Sequence, residues 1–517
     1  MISVTLSEKV GSLFLIGLED CELNKESINV LKTIQPGFVI LFQRNVKSPE
    51  QLYAFVKSVK EVLNNDVVFA IDQEGGIVTR LENGFAISPG AMAVSATGKT
   101  ENAYITGKIL GSEMRKMGIS WDLAPVVDIN DNYINPSLGV RSFGDTPQMV
   151  CDYSEEFHRG LKETKVAGSA KHFPGKGSVS VDPHLDMPYL DKSFEELKEN
   201  ELIPFENIFK KGIETVMISH LYLPQIAEEK TPASISENMM KGLLKKQLGY
   251  EGILVSDDLT MGGVSNECPV HEAAYKALMA GMDIIDICHK YENQLSAFEG
   301  LVKKAEENKD VREAIENAYE KVSKFIKEFA VPVEEMDMAS VGLRENVEAM
   351  ERISLDSITL FENNDNMLPL ALDENDTVFH VKPLRQSLVE EEREGTYIIS
   401  EMKKLFEKPD YVQFEARIKK DNADKLLMDK KGKTAVIFTE NAYLFDGQKY
   451  LVEKICEKYA QVLLIALRNP YDARINGVKN SLLSYGYSLP SQKALLKVIK
   501  GERKANGVCP VKIPERV

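Results

Sequence analysis

The chain has no excess of basic residues: 63 lysines and arginines are outnumbered by 79 aspartates and glutamates, for a formal net charge of −16. Nucleic acid and anionic membrane surfaces both call for a basic footprint, so neither is expected as a partner. No apolar run approaches the roughly 18 residues that a spanning helix requires. Cysteine is sparse, and Cys21, Cys151, Cys268, Cys288, Cys456 and Cys509 show no C-x-x-C spacing. That argues against a disulfide framework and a zinc site and fits free thiols in a reducing compartment. There is no cluster at metal-ligand spacing and no glycine-rich phosphate loop after a strand, so neither a metal nor an organic cofactor is expected. Internal repeats and low-complexity tracts are also missing.

What is present is the composition of a soluble globular protein, 43% hydrophobic and 27% charged, and at 517 residues it is too long for one ordinary core. The N-terminal apolar stretch Val10 to Leu18 has no basic flank and no small-residue cleavage site. Thr5 and Glu8 before it read as a capping box that opens a helix. The stretch is therefore read as structural and the protein as cytoplasmic.

Short apolar runs alternate with longer amphipathic patterns through the first part. The runs are Leu13 to Leu18, Gly37 to Phe42, Val67 to Ile71, Ile119 to Val127, Val166 to Lys171, Thr215 to Ser219, Gly252 to Ser256 and Met282 to Ile287. Runs apolar along their whole length suit strands buried on both faces, and alternation with helices implies a parallel sheet. Eight such units predict a (β/α)8 barrel of the TIM type. Helices are predicted over Pro49 to Leu63, Glu101 to Met117, Met149 to Thr164, Glu195 to Lys211 and Ala305 to Phe329. Asp72, Lys171-His172, His220 and Asp257 fall at the ends of apolar runs, which puts them on the C-terminal rim where such barrels build sites. After a linker over 336–350, strands at Thr377 to Val381, Tyr411 to Phe414, Thr434 to Thr439 and Val462 to Ala466, with helices at Gln448 to Tyr459 and Ser491 to Ile499, predict a smaller α/β sandwich. The expected organisation is a barrel over 1–335 and a second domain over 351–517.

Chemistry concentrates in Lys171-His172-Phe173-Pro174-Gly175-Lys176-Gly177 and in Asp182-Pro183-His184 beyond it. Proline and glycine hold this segment out of regular structure, and an Asp two residues from a His can fix the imidazole tautomer. A well-ordered turn with a satisfied histidine explains the local pattern equally well.

The segment KHFPGKGSVSVDPHLDMP resembles the signature loop of glycoside hydrolase family 3, in its bacterial β-N-acetylglucosaminidase branch. Further stretches match in the same order: Ile71 to Leu81, Leu123 to Gly144, Pro232 to Ser236, Leu254 to Gly263, Ala466 to Ile475 and Ser484 to Leu495. The resemblance implies the two-domain form, a barrel followed by an α/β sandwich. It makes Asp257 the carboxylate nucleophile. On local grounds either Asp257 or Asp258 could instead cap the following helix, and only the family motif chooses between them. It makes His184 the acid/base, oriented by Asp182, where most retaining glycosidases use a second carboxylate; an imidazole with an unperturbed pKa of about 6.5 suits that duty. It assigns Asp72, Arg80, Arg141, Lys171 and His172 to the sugar, because charge-assisted hydrogen bonds discriminate hydroxyl stereochemistry. The plainer readings are a surface ion pair for Arg141 and a solvated helix face for Arg80. Asn135 and His220 are read as lining residues, His289 faces the right rim, and His158, His271 and His380 are read as ordinary histidines.

Three positions depart from the family pattern. Lys176 stands where KHFPGHG has a histidine, Ile77 where EGGRV has an arginine, and Pro183 where the D-S-H triplet has a serine. Lys176 is read as a solvated loop lysine, or else as a contact to an anionic group beyond the scissile bond. The resulting expectation is a retaining exo-β-N-acetylglucosaminidase that acts by double displacement on small glycans, muropeptides or chitooligosaccharides. A phosphorylase or β-glucosidase of the same family is the enzymatic alternative, and a carbohydrate-binding pseudoenzyme the non-enzymatic one. The sequence specifies no oligomeric state.

Overall fold

A computed structural model describes residues 4–64, 66–179, 187–227, 230–386, 390 and 397–515. Asp182, Pro183 and His184 lie outside the described residues.

Eight parallel strands form the first sheet: β1 (Phe14–Gly17), β2 (Phe38–Leu41), β3 (Val68–Ile71), β4 (Ile119–Asp122), β5 (Ala167–Phe173), β6 (Thr215–Ile218), β7 (Ile253–Ser256) and β8 (Ile285–Ile287). They pair in the order β7-β6-β5-β4-β3-β2-β1-β8, and a parallel bridge between Val255 and Ile284 brings the two ends together. This is the predicted barrel. Every residue of these strands is buried, which is why they read as mainly apolar runs rather than alternating ones. The capping box is present: Thr5 Oγ1 accepts from Glu8 N at 3.2 Å, and Thr5 N donates to Glu8 Oε2 at 2.6 Å, opening the helix Leu6–Ser12.

Three elements differ from expectation. β4 stops at Asp122 rather than Val127, because Pro125 cannot donate to a ladder. The helix predicted over Glu195 to Lys211 is two, Phe194–Glu199 and Leu202–Lys210, broken where Asn200 leaves the helical region. The pattern Ala305 to Phe329 is the end of the helix Tyr291–Glu307 followed by Lys309–Phe329, with Asn308 capping the second helix by accepting from Asp310 N at 2.8 Å.

The second sheet comprises β9 (Thr359–Asn363), β10 (Thr377–Lys382), β11 (Asp410–Glu415), β12 (Thr434–Thr439), β13 (Gln461–Ala466) and β14 (Asn480–Leu483), in the order β11-β10-β12-β13-β14-β9. All pairs are parallel except β14 with β9. Alternate residues feed opposite faces: Val378, Val436, Phe438, Leu463 and Ile465 pack on one side, and Phe379, Ile437, Leu464 and Ala466 on the other. That second face is shared with the barrel, whose Ile77, Val78, Met92, Ala93 and Val140 complete the same apolar cluster. Ile77, a departure from the family pattern, is thus one of the apolar residues joining the domains. No helix among the described residues is long and apolar enough to cross a membrane.

Candidate active site

A cavity of about 520 Å³ opens at the C-terminal rim of the barrel, lined by Asp72, Arg80, Arg141, Lys171, His172 and Asp257 among others. Six of the eight residues that the sequence singled out as catalytic or sugar-binding therefore meet in one place; the other two, Asp182 and His184, are not described.

Local backbone chemistry sets these side chains. Leu123 N donates to Ile71 O at 2.8 Å, and Gln73 N to Asp122 Oδ1 at 3.0 Å, which fixes the end of β3. Gln73 Oε1 accepts from Arg80 N at 2.9 Å and Leu81 N at 3.1 Å, folding the loop back so that Arg80 Nη2 lies 3.7 Å from Asp72 Oδ2. Arg80 is buried in this loop, not on a solvated helix face. Lys171, within β5, places its ammonium 2.6 Å from both Asp72 Oδ1 and Glu74 Oε1. Arg141 donates to Glu74 through Nε and Nη2, each at 2.8 Å, a two-pronged pairing. Its partner is thus a buried carboxylate, not a surface one. Burial alone would raise the pKa of Glu74, but Arg141 and Lys171 outweigh it and hold the carboxyl at about 2. Burial likewise works against the charge on Lys171, which Asp72 and Glu74 sustain above its ordinary value.

A second network lies beside the first. His172 Nδ1 meets Asp128 Oδ2 at 2.7 Å, and Nε2 is 3.4 Å from Arg141 Nη2. A carboxylate only accepts, so Nδ1 carries the proton and Nε2 faces the guanidinium. Asp128 also accepts from Lys176 N at 2.8 Å. Burial raises its carboxyl to about 6, with the Lys176 charge opposing the rise most strongly. Lys176 is 2% exposed and lines the cavity. The solvated-lysine reading is therefore corrected: the loop after β5 folds inward, with Asn135 Nδ2 holding Lys176 O at 2.8 Å and Gly177 O at 2.9 Å.

On the opposite wall, Asp257 follows β7 and donates its backbone N–H to Ile218 O at 2.9 Å. Its Oδ1 accepts from Asp258 N at 3.1 Å. Asp258 Oδ1 accepts from Thr260 N at 2.9 Å and Thr260 Oγ1 at 2.8 Å, so the local turn-capping is done by Asp258. Burial raises the pKa of Asp258, and Asp257 adds to it. Nearby, Cys288 Sγ donates to Asp286 Oδ1 at 2.7 Å, and burial pushes Asp286 well above the carboxylate range.

Asn135 and His220 do not line the cavity. Asn135 holds the loop after β5 from behind. His220 donates Nε2–H to Asp258 O at 2.9 Å and contacts Ser234 Oγ through Nδ1 at 2.8 Å, supporting the strand end. His289 lines the cavity, its ring centroid 5.1 Å from that of Phe42. His158 is a buried partner of Glu214 at 2.9 Å, and desolvation lowers His380 to about 4. His271 is exposed.

Sequence reasoning missed Glu74, Asp128, Arg44 and Arg385. The first two stand inside quoted motifs, Glu74 in the segment after β3 and Asp128 in the loop after β4, and burial among cations was the signal they lacked. Arg44 lies in the short turn Gln43–Asn45 three residues beyond β2, so its rim position was legible. Nothing local marks Arg385, which arrives from the second domain. That domain also braces the loop after β4. Val140 N donates to Asn469 Oδ1 at 3.0 Å, and Asn130 Nδ2 to Tyr471 OH at 2.9 Å. Gly139 has φ +47°, and a Cβ there would lie 2.2 Å from Asn469 Oδ1. Glycine therefore permits both the turn and the approach.

Residues 5–325 match the family described as "Glycosyl hydrolase family 3 N terminal domain". A beta-hexosaminidase of Actinobacillus pleuropneumoniae is 34% identical over 295 residues, covering 56% of this chain and 84% of that protein. The structure of a glycoside hydrolase family 3 beta-N-acetylglucosaminidase from a Paenibacillus species is similar with a TM-score of 0.88 at 30% identity, covering 100% of both chains. A fungal multi-domain beta-N-acetylglucosaminidase of the same family gives 0.91 at 27% identity, over 99% of this chain and 61% of the other.

Proposed function

Because the chain belongs to glycosyl hydrolase family 3 and is a glycoside hydrolase, we propose that it is a retaining exo-β-N-acetylglucosaminidase. It releases terminal β-linked N-acetylglucosamine from small glycans such as muropeptides or chitooligosaccharides. The observation that carries this reading is the arrangement of one cavity with Asp257 on one wall and the Asp72–Lys171–Arg141 cluster on the other. Support for the sugar comes from the relatives named beta-hexosaminidase and beta-N-acetylglucosaminidase. The six cysteines are unpaired, which supports a reducing, cytoplasmic setting.

In this reading Asp72, Arg80, Arg141, Lys171 and His172 bind the hydroxyls of the terminal sugar. Each is held by another charge, so a misplaced hydroxyl leaves a buried polar group unpaired. Asp257 attacks the anomeric carbon as the glycosidic C–O bond breaks, giving a covalent glycosyl ester. Its backbone N–H is tied to β6, which presents the carboxylate to the cavity. His184, oriented by Asp182, protonates the departing oxygen and then takes a proton from the incoming water; this assignment rests on the family resemblance.

A slowly turned-over fluorinated N-acetylglucosaminide should leave a covalent adduct on the peptide containing Asp257, and Asp257→Ala should lower the rate by several orders of magnitude. An adduct on Asp258, or a product released with inverted configuration, would falsify the assignment. Comparing aryl N-acetylglucosaminide with aryl glucoside tests the sugar; faster turnover of the glucoside would favour the β-glucosidase reading.

A further inference from the structure

Asp286 lies within β8, is 2% exposed and lines the cavity. A buried carboxyl among apolar strands is costly unless something partners it, and among the described residues it forms no ion pair. Its backbone is locked to the strand end that carries Asp257. Asp286 N donates to Ser256 Oγ at 3.0 Å, and Asp286 O accepts from Leu259 N at 3.1 Å. Ser256 and Leu259 flank the Asp257–Asp258 pair, so the Asp286 side chain is held beside that pair.

Among the described residues its one side-chain hydrogen bond is the one that Cys288 Sγ donates to Oδ1 at 2.7 Å, which leaves Oδ2 to the occupant of the cavity. Besides burial, the neighbouring Asp258, Asp257 and Asp72 carboxylates oppose its ionisation. A carboxyl that keeps its proton in such surroundings donates a hydrogen bond as well as accepting one.

We propose that Asp286 is a specificity-determining residue that reads the substituent next to the reacting carbon, its Oδ2 hydroxyl donating a hydrogen bond to the acetamido carbonyl oxygen of the terminal sugar. The inference rests on the reading of Asp257 as the nucleophile of an exo-N-acetylglucosaminidase. The nucleophile reaches the anomeric carbon, so a side chain anchored to the residues on either side of the Asp257–Asp258 pair faces the neighbouring ring position. There N-acetylglucosamine carries its acetamido arm and glucose a hydroxyl, which is too short to meet a donor placed for the carbonyl. A sugar without that acceptor leaves the buried acid unpaired and is selected against. The Asp72–Lys171–Arg141 cluster on the opposite wall then serves hydroxyls further round the ring.

The test uses the full-length protein with Asp286→Asn, Asp286→Leu and Asp286→Ala, each assayed on an aryl N-acetylglucosaminide and on the matching aryl glucoside. The quantity read is the ratio of the two kcat/KM values, which a general loosening of the barrel does not move. Leucine nearly matches the side-chain volume and alanine adds no bulk, so either of these variants alone decides the outcome. The ratio should fall about tenfold in Asp286→Leu and Asp286→Ala and stay within about threefold of wild type in Asp286→Asn, whose amide still donates to the sugar and still accepts from Cys288. Equal losses on both substrates, an unaltered or raised ratio in the leucine and alanine variants, or a fall in Asp286→Asn as deep as in Asp286→Leu each overturns the proposal. A wild type that is inactive on the N-acetylglucosaminide, or that prefers the glucoside, overturns the proposed function and this inference with it. A wild type selective for the N-acetylglucosaminide whose ratio survives Asp286→Leu overturns the inference alone.

Discussion

Removing the charge of Glu74 should destabilise the barrel in a way that depends on pH. Glu74 is the shared anion of two buried cations, 2.6 Å from Lys171 Nζ and 2.8 Å from two Arg141 nitrogens. Its carboxyl is held at about 2 against an ordinary 4.5, a displacement worth about 3 kcal/mol of preference for the ionised form in the fold. Loss of one partner from a buried ion pair typically costs about 3–5 kcal/mol, so the two arguments agree in order of magnitude. Because the folded value is depressed, the contribution is fully present above pH 4.5 and is lost as pH falls towards 2. Glu74→Gln keeps the shape and removes the charge. Trp121, the single tryptophan, lies fully buried in β4, so its fluorescence during urea unfolding reports the barrel rather than the second domain. The stability gap between wild type and variant should be flat at about 3 kcal/mol from pH 7 to 5 and should narrow below pH 4.5. A gap below about 1 kcal/mol, or one that does not change with pH, would refute the reasoning.

Lys176 is the strongest influence opposing the rise of Asp128. Lys176→Met should therefore move the acidic limb of the kcat/KM profile upward by about one pH unit, equally for neutral and anionic substrates, and a limb that stays in place refutes the coupling. Asn469→Ala leaves the buried Val140 N–H without its acceptor, at a cost of about 1–3 kcal/mol. It should raise KM more than it lowers kcat, since the turn that carries Arg141 loosens. Asn469→Asp, which keeps the acceptor, should lie closer to wild type, and a variant order reversed from this argues against the brace.

The barrel was legible in the sequence because burial of a parallel strand on both faces is a local property: its strands write themselves as mainly apolar runs. The rim positions of Asp72, Lys171, His172 and Asp257 followed, since a polar residue at the end of such a run has one place to go. The shortest irregularities were less visible. The breaks at Asn200 and Asn308 interrupt patterns that stay amphipathic across them, and β9 is an edge strand with only its first residue buried. What tertiary structure alone decided is the choice of partners. Arg141 meets Glu74 from 67 positions away and Lys171 meets Asp72 from 99. Lys176 is buried because Asn135 and Asp128 draw its loop inward, and Arg385 reaches the mouth only because the second sheet packs on Ile77 and Val140. Hydrophobic periodicity reports the environment along one segment. The pairing of charges depends on which segments the closed barrel and the docked domain bring together, and no local pattern carries that information.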